Sequence, residues 1–279
     1  MEEKLSRMTP LILFTSLLII AVGLALGETT HVFVVGSSGG ESTLLPWSLS
    51  LAILGALIAF THLGHPGRSW RTIQGVIHSW LSREALLSTG FSVCIGAAAW
   101  TVTDIELVSW FNILLWAAAG FGAAAIWSIA VLYQLPAQIG WNGWTQRLTP
   151  FAGAVLIGAT GTLVLGNATW EVPVFSAILM IDLTLTVLRL RHFLSMRHFR
   201  YALVYPGNRS VLVLSHTLRL ILTPAVALLV YNEIYTVSLC MVAGAVCLDR
   251  FSFYAGAAQL TPKATITHLR NKRMSVATH

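Results

Sequence analysis

Apolar residues run through this chain in eight long segments that are separated by short polar stretches. Each segment holds about 20 residues, which is the length that an α-helix needs to cross the hydrocarbon core of a bilayer. In lipid, only a helix or a closed barrel pairs all of its backbone groups, and segments of this length are too long for strands of an open sheet. The predicted spans are Thr9–Gly27, Leu44–Leu63, Glu84–Thr103, Val108–Gln134, Leu148–Gly166, Val172–Leu190, Ser210–Tyr231 and Ile234–Leu260.

The composition agrees with this pattern. Hydrophobic residues make up 56% of the chain and charged residues only 10%, whereas a soluble domain carries about 25% charged residues. Eight spans and their loops use nearly all of the 279 residues. We therefore predict an all-α integral membrane protein, a single polytopic membrane domain over residues 1–279, whose eight transmembrane helices form two packed four-helix bundles. The first segment is expected to be a retained span, because no small-residue cleavage site clearly follows it.

Lysines and arginines are distributed unevenly between the polar stretches. Fifteen of the seventeen lie before the first span, in the loops after the second, fourth and sixth spans, or in the tail. The other loops carry only acidic charges. The positive-inside rule then predicts that both termini and the link between the second and third spans are cytoplasmic, in an inner membrane. The net charge of +6 does not indicate nucleic-acid binding, because these basic residues flank spans and form no stripe interleaved with aromatic residues.

Four charged residues lie deep inside predicted spans, about 12–15 Å from the cytoplasmic ends. A charge at this depth costs several kcal/mol unless it is paired or faces water. Equal depth makes pairing possible, and we expect Arg219 to pair with Asp182 or Asp249. The fourth charge is Arg250, and His216 shares a helix face with Arg219. Two interpretations stay open: a structural ion-pair layer, or the lining of a proton or quinone pocket.

The polar link of residues 61–88 carries a second candidate site. His62 ends the second span, and Glu84 opens the third. Together at one membrane surface they have the groups needed to bond a quinone carbonyl and to accept its protons. Each residue also has a structural explanation, because a carboxylate at a helix N-terminus is stabilised by the helix dipole. Arginines such as Arg68 are expected to anchor to lipid headgroups or to dock a partner.

Other classes of function fit less well. The three cysteines form no CxxC pair, so no iron–sulfur or other metal site is expected in this chain. A haem anchor needs paired histidines at matching depth, and only His216 lies well inside a span. A small-molecule transporter is the alternative from another class, because intramembrane charges suit it. No inverted repeat with paired broken helices is detectable, however.

Two motifs in the link carry a family resemblance. They read HLGHPGRSWR at 62–71 and HSWLSREALLS at 78–88. In these motifs the chain resembles the DmsC-like membrane anchor subunit of the dimethyl sulfoxide reductase family, within the wider NrfD/polysulfide reductase anchor group. Weaker echoes are YQLPAQIGWNGW at 133–144 and DRFSFY at 249–254.

The resemblance implies an anchor that binds menaquinol or another quinone and exchanges electrons with a four-cluster iron–sulfur subunit. A molybdopterin catalytic subunit completes such a complex in anaerobic respiration, and the anchor itself carries no haem or metal. The family's quinol-site histidine matches His62 and its functional glutamate matches Glu84, which we take as the catalytic pair. Arg250 and Tyr254 fall where the family has an arginine and a tyrosine. The candidates for the quinone pocket are His62, His65, Arg68, Glu84, Asp182, His216, Arg219, Asp249, Arg250 and Tyr254.

One feature departs from the family pattern. In its best-known members the matching link is expected on the outer face, whereas the loop charges of this chain place it inside. The partner-docking face is therefore predicted to be cytoplasmic. Within the same class, this leaves the quinone-reducing anchor of a cytoplasmic sulfite dehydrogenase-type complex as the alternative.

Overall fold

The computed structural model describes residues 2–35, 44–62, 74–101, 108–132, 143–166, 171–195 and 206–255. Within these ranges the chain forms eight α-helices and no strand. They are α1 (Glu2–Val35), α2 (Leu44–His62), α3 (Trp80–Thr101), α4 (Val108–Leu132), α5 (Trp144–Leu165), α6 (Glu171–Ser195), α7 (Pro206–Tyr231) and α8 (Tyr235–Ala255). The predicted all-helical architecture is confirmed for the described residues.

Seven of these helices are long and apolar enough to cross a membrane, which makes the chain a multi-pass membrane protein. The exception is α3, although its 22 residues are sufficient in length. It carries Arg83 and Glu84 near its start and several serine, threonine and glycine residues along its length, which lower its mean hydropathy. α3 lies between two apolar helices in the chain, α2 and α4, and packs on both.

α1 lies at the centre of the structure. Of its apolar stretch, 72% is buried, compared with 28–61% in the other six apolar helices. It packs on α2, α4, α5 and α8, and its side chains Leu18, Ile19 and Val22 are almost fully enclosed. A helix that is apolar on all sides is expected in the core of a helical protein. The central position of α1 therefore follows from its composition.

The other helix contacts fall mainly within two sets of consecutive helices. In the first set, α2 packs along α1 and α3 packs along α4. In the second set, α5 packs on α6 and α8, while α7 packs on α6 and α8. α1 joins the two sets through its contacts with α5 and α8. A hydroxyl group reinforces the first set, because Ser48 of α2 donates to the carbonyl oxygen of Ala21 at 2.7 Å.

Glycines allow α1 and α5 to approach closely. A methyl group at Gly23 would lie 2.6 Å from Cβ of Ile157, and one at Gly27 would lie 2.7 Å from the carbonyl oxygen of Gly158. Seen from α5, a methyl group at Gly158 would lie 3.0 Å from the carbonyl oxygen of Gly23. Gly23 and Gly27 have the spacing that lets membrane helices pack with their backbones close together. This contact fixes α5 against the central helix.

α1 continues past its predicted end at Gly27 and reaches Val35. Glu28 and His31 come directly after that predicted end, which assigns them to the following loop, but both lie within α1. The predicted helix end is therefore wrong. Glu28 is only 3% exposed, and its carboxylate accepts a hydrogen bond at 3.4 Å from the backbone N–H of Leu44, the first residue of α2. The first N–H groups of a helix lack helical partners, so a carboxylate is favourable there. Glu28 can therefore remain in a buried helix.

Candidate functional site

The predicted site residues that the structure describes fall in two separate regions. Glu84 lies near the start of α3, which packs on α2 and α4. Asp182, Arg219, Asp249 and Arg250 lie together among α6, α7 and α8. Among the described helices, α3 shares no substantial interface with these three. The two regions are therefore distinct sites rather than parts of one pocket.

α3 begins one turn earlier than predicted. The hydropathy pattern predicts a start at Glu84, but the helix begins at Trp80 and has no acidic residue in its first turn. Ser79 precedes it, and its hydroxyl oxygen accepts a hydrogen bond at 3.4 Å from the backbone N–H of Ser82, as an N-cap residue does. The helix dipole acts mainly on the first turn. The explanation of Glu84 as a charge at the helix end is therefore wrong.

Arg83 fixes the turn of residues 74–79 against the start of α3. Its guanidinium group donates to the carbonyl oxygen of Val76 at 2.9 Å and to that of Ile77 at 2.6 Å. The same group lies 4.4 Å from the ring centre of Trp80, which is a cation–π arrangement. These contacts give Arg83 a structural role that the sequence analysis does not identify.

Glu84 is enclosed by the protein. It is 2% exposed, and its Oε2 atom has no hydrogen-bond partner among the described residues. It begins a buried face of α3 that continues through Phe91, Ile95 and Ala98, at spacings that place side chains on one side of a helix. Leaving a buried polar atom without a partner costs about 1–3 kcal/mol, and more for a charged group. The position therefore suits a ligand that presents a hydroxyl group.

The histidine of the predicted catalytic pair is the last residue of α2. His62 ends α2, and Glu84 lies near the start of α3, the next helix in the chain. The two helices pack on each other. The side chain of His62 lies outside the described part of the structure, as do His65 and Arg68 altogether. Their roles at a quinone site stay predictions.

Asp249 of α8 is the centre of a buried charge cluster. Its carboxylate accepts hydrogen bonds from three guanidinium groups, which belong to Arg189 of α6, Arg219 of α7 and the adjacent Arg250. The N–O distance is 2.5 Å for Arg219 and 2.6 Å for Arg250. Arg219 also donates to Asp182 of α6 at 2.5 Å. The predicted pairing of Arg219 with the aspartates is confirmed.

Arg189 is the member of this cluster that the sequence analysis misses. The loop-charge count assigns Arg189 to the basic loop after the sixth span, although this residue lies just before the predicted end of that span at Leu190. In the structure α6 continues to Ser195, and Arg189 is completely buried. A buried guanidinium is tolerated here because a carboxylate compensates its charge. One signal was available in the sequence: Asp182 and Arg189 are seven residues apart, which places them two turns apart on one helix face.

His216 and Tyr254 are also buried on the helices of the cluster, at 1% and 2% exposure. His216 lies one turn before Arg219. Tyr254 lies one turn after Arg250, and its ring meets that of Phe253 edge-on with the centroids 5.1 Å apart. The guanidinium group of Arg250 lies 5.0 Å from the Phe253 ring centre. His216 and Tyr254 both make further interactions within the protein, so they are part of its packing.

The cluster has the geometry of a buried ion-pair layer that ties α6, α7 and α8 together. Both of its carboxylates are occupied by arginines, and the Ser252 hydroxyl adds a bond at 2.5 Å from α8 to the Ser215 oxygen of α7. This arrangement favours the structural interpretation over a quinone pocket. Among the described residues, no three histidine, cysteine, aspartate or glutamate side chains are grouped so that they could hold a metal ion.

Replacing Asp249 by asparagine is expected to destabilise the protein more than replacing Asp182 by asparagine. Asp249 compensates three guanidinium groups, whereas Asp182 contacts one of them. Breaking a buried ion pair costs about 3–5 kcal/mol, and we expect this loss for Asp249→Asn and a smaller loss for Asp182→Asn. Thermal melting in detergent, followed by tryptophan fluorescence, measures the difference. Equal melting temperatures for the two variants would contradict the central position of Asp249.

One known protein family matches nearly the whole chain. Residues 1–260 match the family model described as DMSO reductase anchor subunit (DmsC), and this range contains all eight helices. None of the curated proteins matches the chain. DmsC anchors are quinone-interacting subunits of molybdoenzyme complexes, which also contain a molybdopterin catalytic subunit and an iron–sulfur subunit. The chain belongs to the DMSO reductase anchor subunit (DmsC) family and is a membrane anchor of an oxidoreductase complex of this type.

Proposed function

We propose that this anchor binds menaquinol or a related quinol where α2 ends and α3 begins, and that it passes the electrons to its iron–sulfur partner. The observation that carries the proposal is the buried Oε2 atom of Glu84, which is bonded by no described residue. Glu84 also lies in the motif that carries the family resemblance. The helix that ends at His62 packs against the helix that holds Glu84.

The quinone ring supplies the redox chemistry when it is bound. Oxidation of one quinol releases two electrons and two protons, and the protein must accept both protons. Glu84 accepts a hydrogen bond from a ring hydroxyl and takes one proton from it. His62 accepts or relays the other proton, because an imidazole exchanges protons near neutral pH. The electrons leave one at a time to a four-cluster iron–sulfur subunit that docks on the same face.

We assign a supporting role to the second region. Asp182, Arg219 and Asp249 already bond one another, so a quinone oxygen would have to displace an ion pair to bind there. The cluster instead holds α6, α7 and α8 in register. His65 and Arg68 then remain as the further pocket candidates beside the catalytic pair.

We also propose that the anchor lies in the inner membrane as two packed four-helix bundles, with α3 crossing as the eighth span and with both termini and the partner-docking face in the cytoplasm. The support is the distribution of charge. The tight turn between α7 and α8 carries Glu233 and no basic residue, whereas the links on the opposite side carry most lysines and arginines. The burial of Arg189 removes one residue from the loop count and leaves this bias unchanged.

Single cysteines at the two kinds of turn test this orientation. In spheroplasts, a membrane-impermeant maleimide is expected to label Asn232→Cys, in the exposed turn after α7, because that turn faces outward. It is expected to label His78→Cys, in the exposed turn before α3, only after permeabilisation. The unmodified chain, with Cys94, Cys240 and Cys247 inside helices, gives the background. The reverse pattern would contradict the cytoplasmic assignment.

The site itself is tested in membranes that contain the whole complex. Glu84→Gln and His62→Ala are each expected to slow electron transfer from a quinol to the iron–sulfur subunit by about a hundredfold or more, because each removes a proton acceptor. Assembly should be unchanged. Glu233→Gln, which alters an exposed carboxylate at the other end of the helices, is the control and should retain full activity. Normal transfer in both site variants would show that the link only docks the partner.

A further inference from the structure

Ser88 of α3 has a hydroxyl group that the helix does not use. Serine and threonine hydroxyls in these helices usually donate to a carbonyl oxygen one turn earlier. On α3 itself, Thr89 donates to Ala85 at 2.8 Å and Ser92 donates to the carbonyl oxygen of Ser88 at 3.0 Å. The Oγ atom of Ser88 is buried and has no hydrogen-bond partner among the described residues. The Ser88 hydroxyl therefore differs from those of Thr89 and Ser92, because it makes no bond to its own helix.

The position of Ser88 links it to Glu84. The two residues are four apart in the chain and so lie one turn apart on the same face of α3. Farther along, this face carries Phe91, Ile95 and Ala98, which are fully buried and apolar, before it ends at Thr101. Two buried oxygen atoms without described partners, Glu84 Oε2 and Ser88 Oγ, thus occur together before the apolar residues of this face. One ligand with a polar ring edge would satisfy both.

We propose that Ser88 is a second hydrogen-bonding contact to the quinone headgroup, one helical turn deeper in the membrane than Glu84. The inference rests on the proposed quinone site and adds a residue to it. A headgroup bound there would contact Glu84 at its entrance and Ser88 farther in, with the apolar residues of α3 beyond it.

A hydroxyl group suits this ligand because the ligand changes its hydrogen-bonding character during turnover. A quinone oxygen only accepts hydrogen bonds, whereas a quinol hydroxyl also donates. Serine both donates and accepts through one rotatable group, whereas an ionised carboxylate only accepts. Ser88 can therefore hold the headgroup in both redox states, and Glu84 takes the proton. On this account Ser88 contributes to binding of the ligand rather than to proton transfer.

The test compares Ser88→Ala with Ser92→Ala in membranes containing the assembled complex, with a short-chain 1,4-naphthoquinol as substrate. Loss of one hydrogen bond is expected to raise KM about three- to tenfold for Ser88→Ala and to leave kcat within about twofold. Ser92→Ala is the matched control, because the Ser92 hydroxyl is already bonded to its own helix, and its KM should not change. Ser88→Thr retains the hydroxyl group and should restore KM toward the wild-type value.

The outcomes separate this inference from the site on which it rests. If Ser88→Ala has a normal KM while Glu84→Gln has lost quinol oxidation, Ser88 is not a ligand contact and the quinone site stands. If both variants oxidise quinol normally, the site itself is wrong. Should Ser88→Ala fail to assemble, Ser88→Cys keeps nearly the same shape with a weak donor. A raised KM in that variant supports the contact, and an unchanged KM overturns it.

Discussion

Lipid offers no hydrogen-bond partner, so every polar group inside the bilayer has to be bonded by the protein or by a ligand. This chain meets the constraint in two ways. Helical hydroxyls donate to their own backbone, as Thr15 and Thr160 do, and buried charges pair with one another around Asp249. Glu84 and Ser88 follow neither pattern within the described residues. Their unused oxygen atoms indicate where a ligand is expected to bind.

The rest of the fold keeps the two polar regions apart. α1 joins the two sets of helices that hold these regions. It packs on α2 and α4 in the first set and on α5 and α8 in the second. Gly23 and Gly27 bring it against the backbone of α5, and the Asp249 cluster then ties α8 to α6 and α7. Breaking a buried ion pair is costly, so these helices form a fixed support. The start of α3 is free of such ion pairs among the described residues, and a ligand can supply the partners that Glu84 and Ser88 lack.

Much of this fold could be predicted from the sequence, because the cost of exposing polar groups to lipid is large and local. Hydropathy alone located the helices, and equal depth identified the partners of Arg219. The burial of Arg189 could not be deduced in the same way, because a basic residue near a helix end more often extends its charge to the interface. The burial of Glu84 could not be deduced either. The burial depends on the helix start at Trp80 and on how α3 packs against α4. If the start is misplaced by one turn, Glu84 is interpreted as a charge that caps the helix and not as a buried residue.

The proposed quinone chemistry rests on His62 and Glu84, which belong to two different helices. Family membership establishes a membrane anchor that works with molybdopterin and iron–sulfur subunits. The catalytic subunit sets the direction of electron flow. In the alternative, a quinone-reducing complex, the same contacts would hold the headgroup while electrons pass to the quinone. On our proposal, either direction requires the headgroup to lie at the junction of α2 and α3 rather than in the charge cluster.

Photoaffinity labelling of the assembled complex with an azidoquinone tests this requirement most directly. The label should attach to peptides from the end of α2 and the start of α3, and excess unlabelled quinone should prevent it. Adducts confined to α6, α7 and α8 would contradict the account and would place the quinone at the Asp249 cluster.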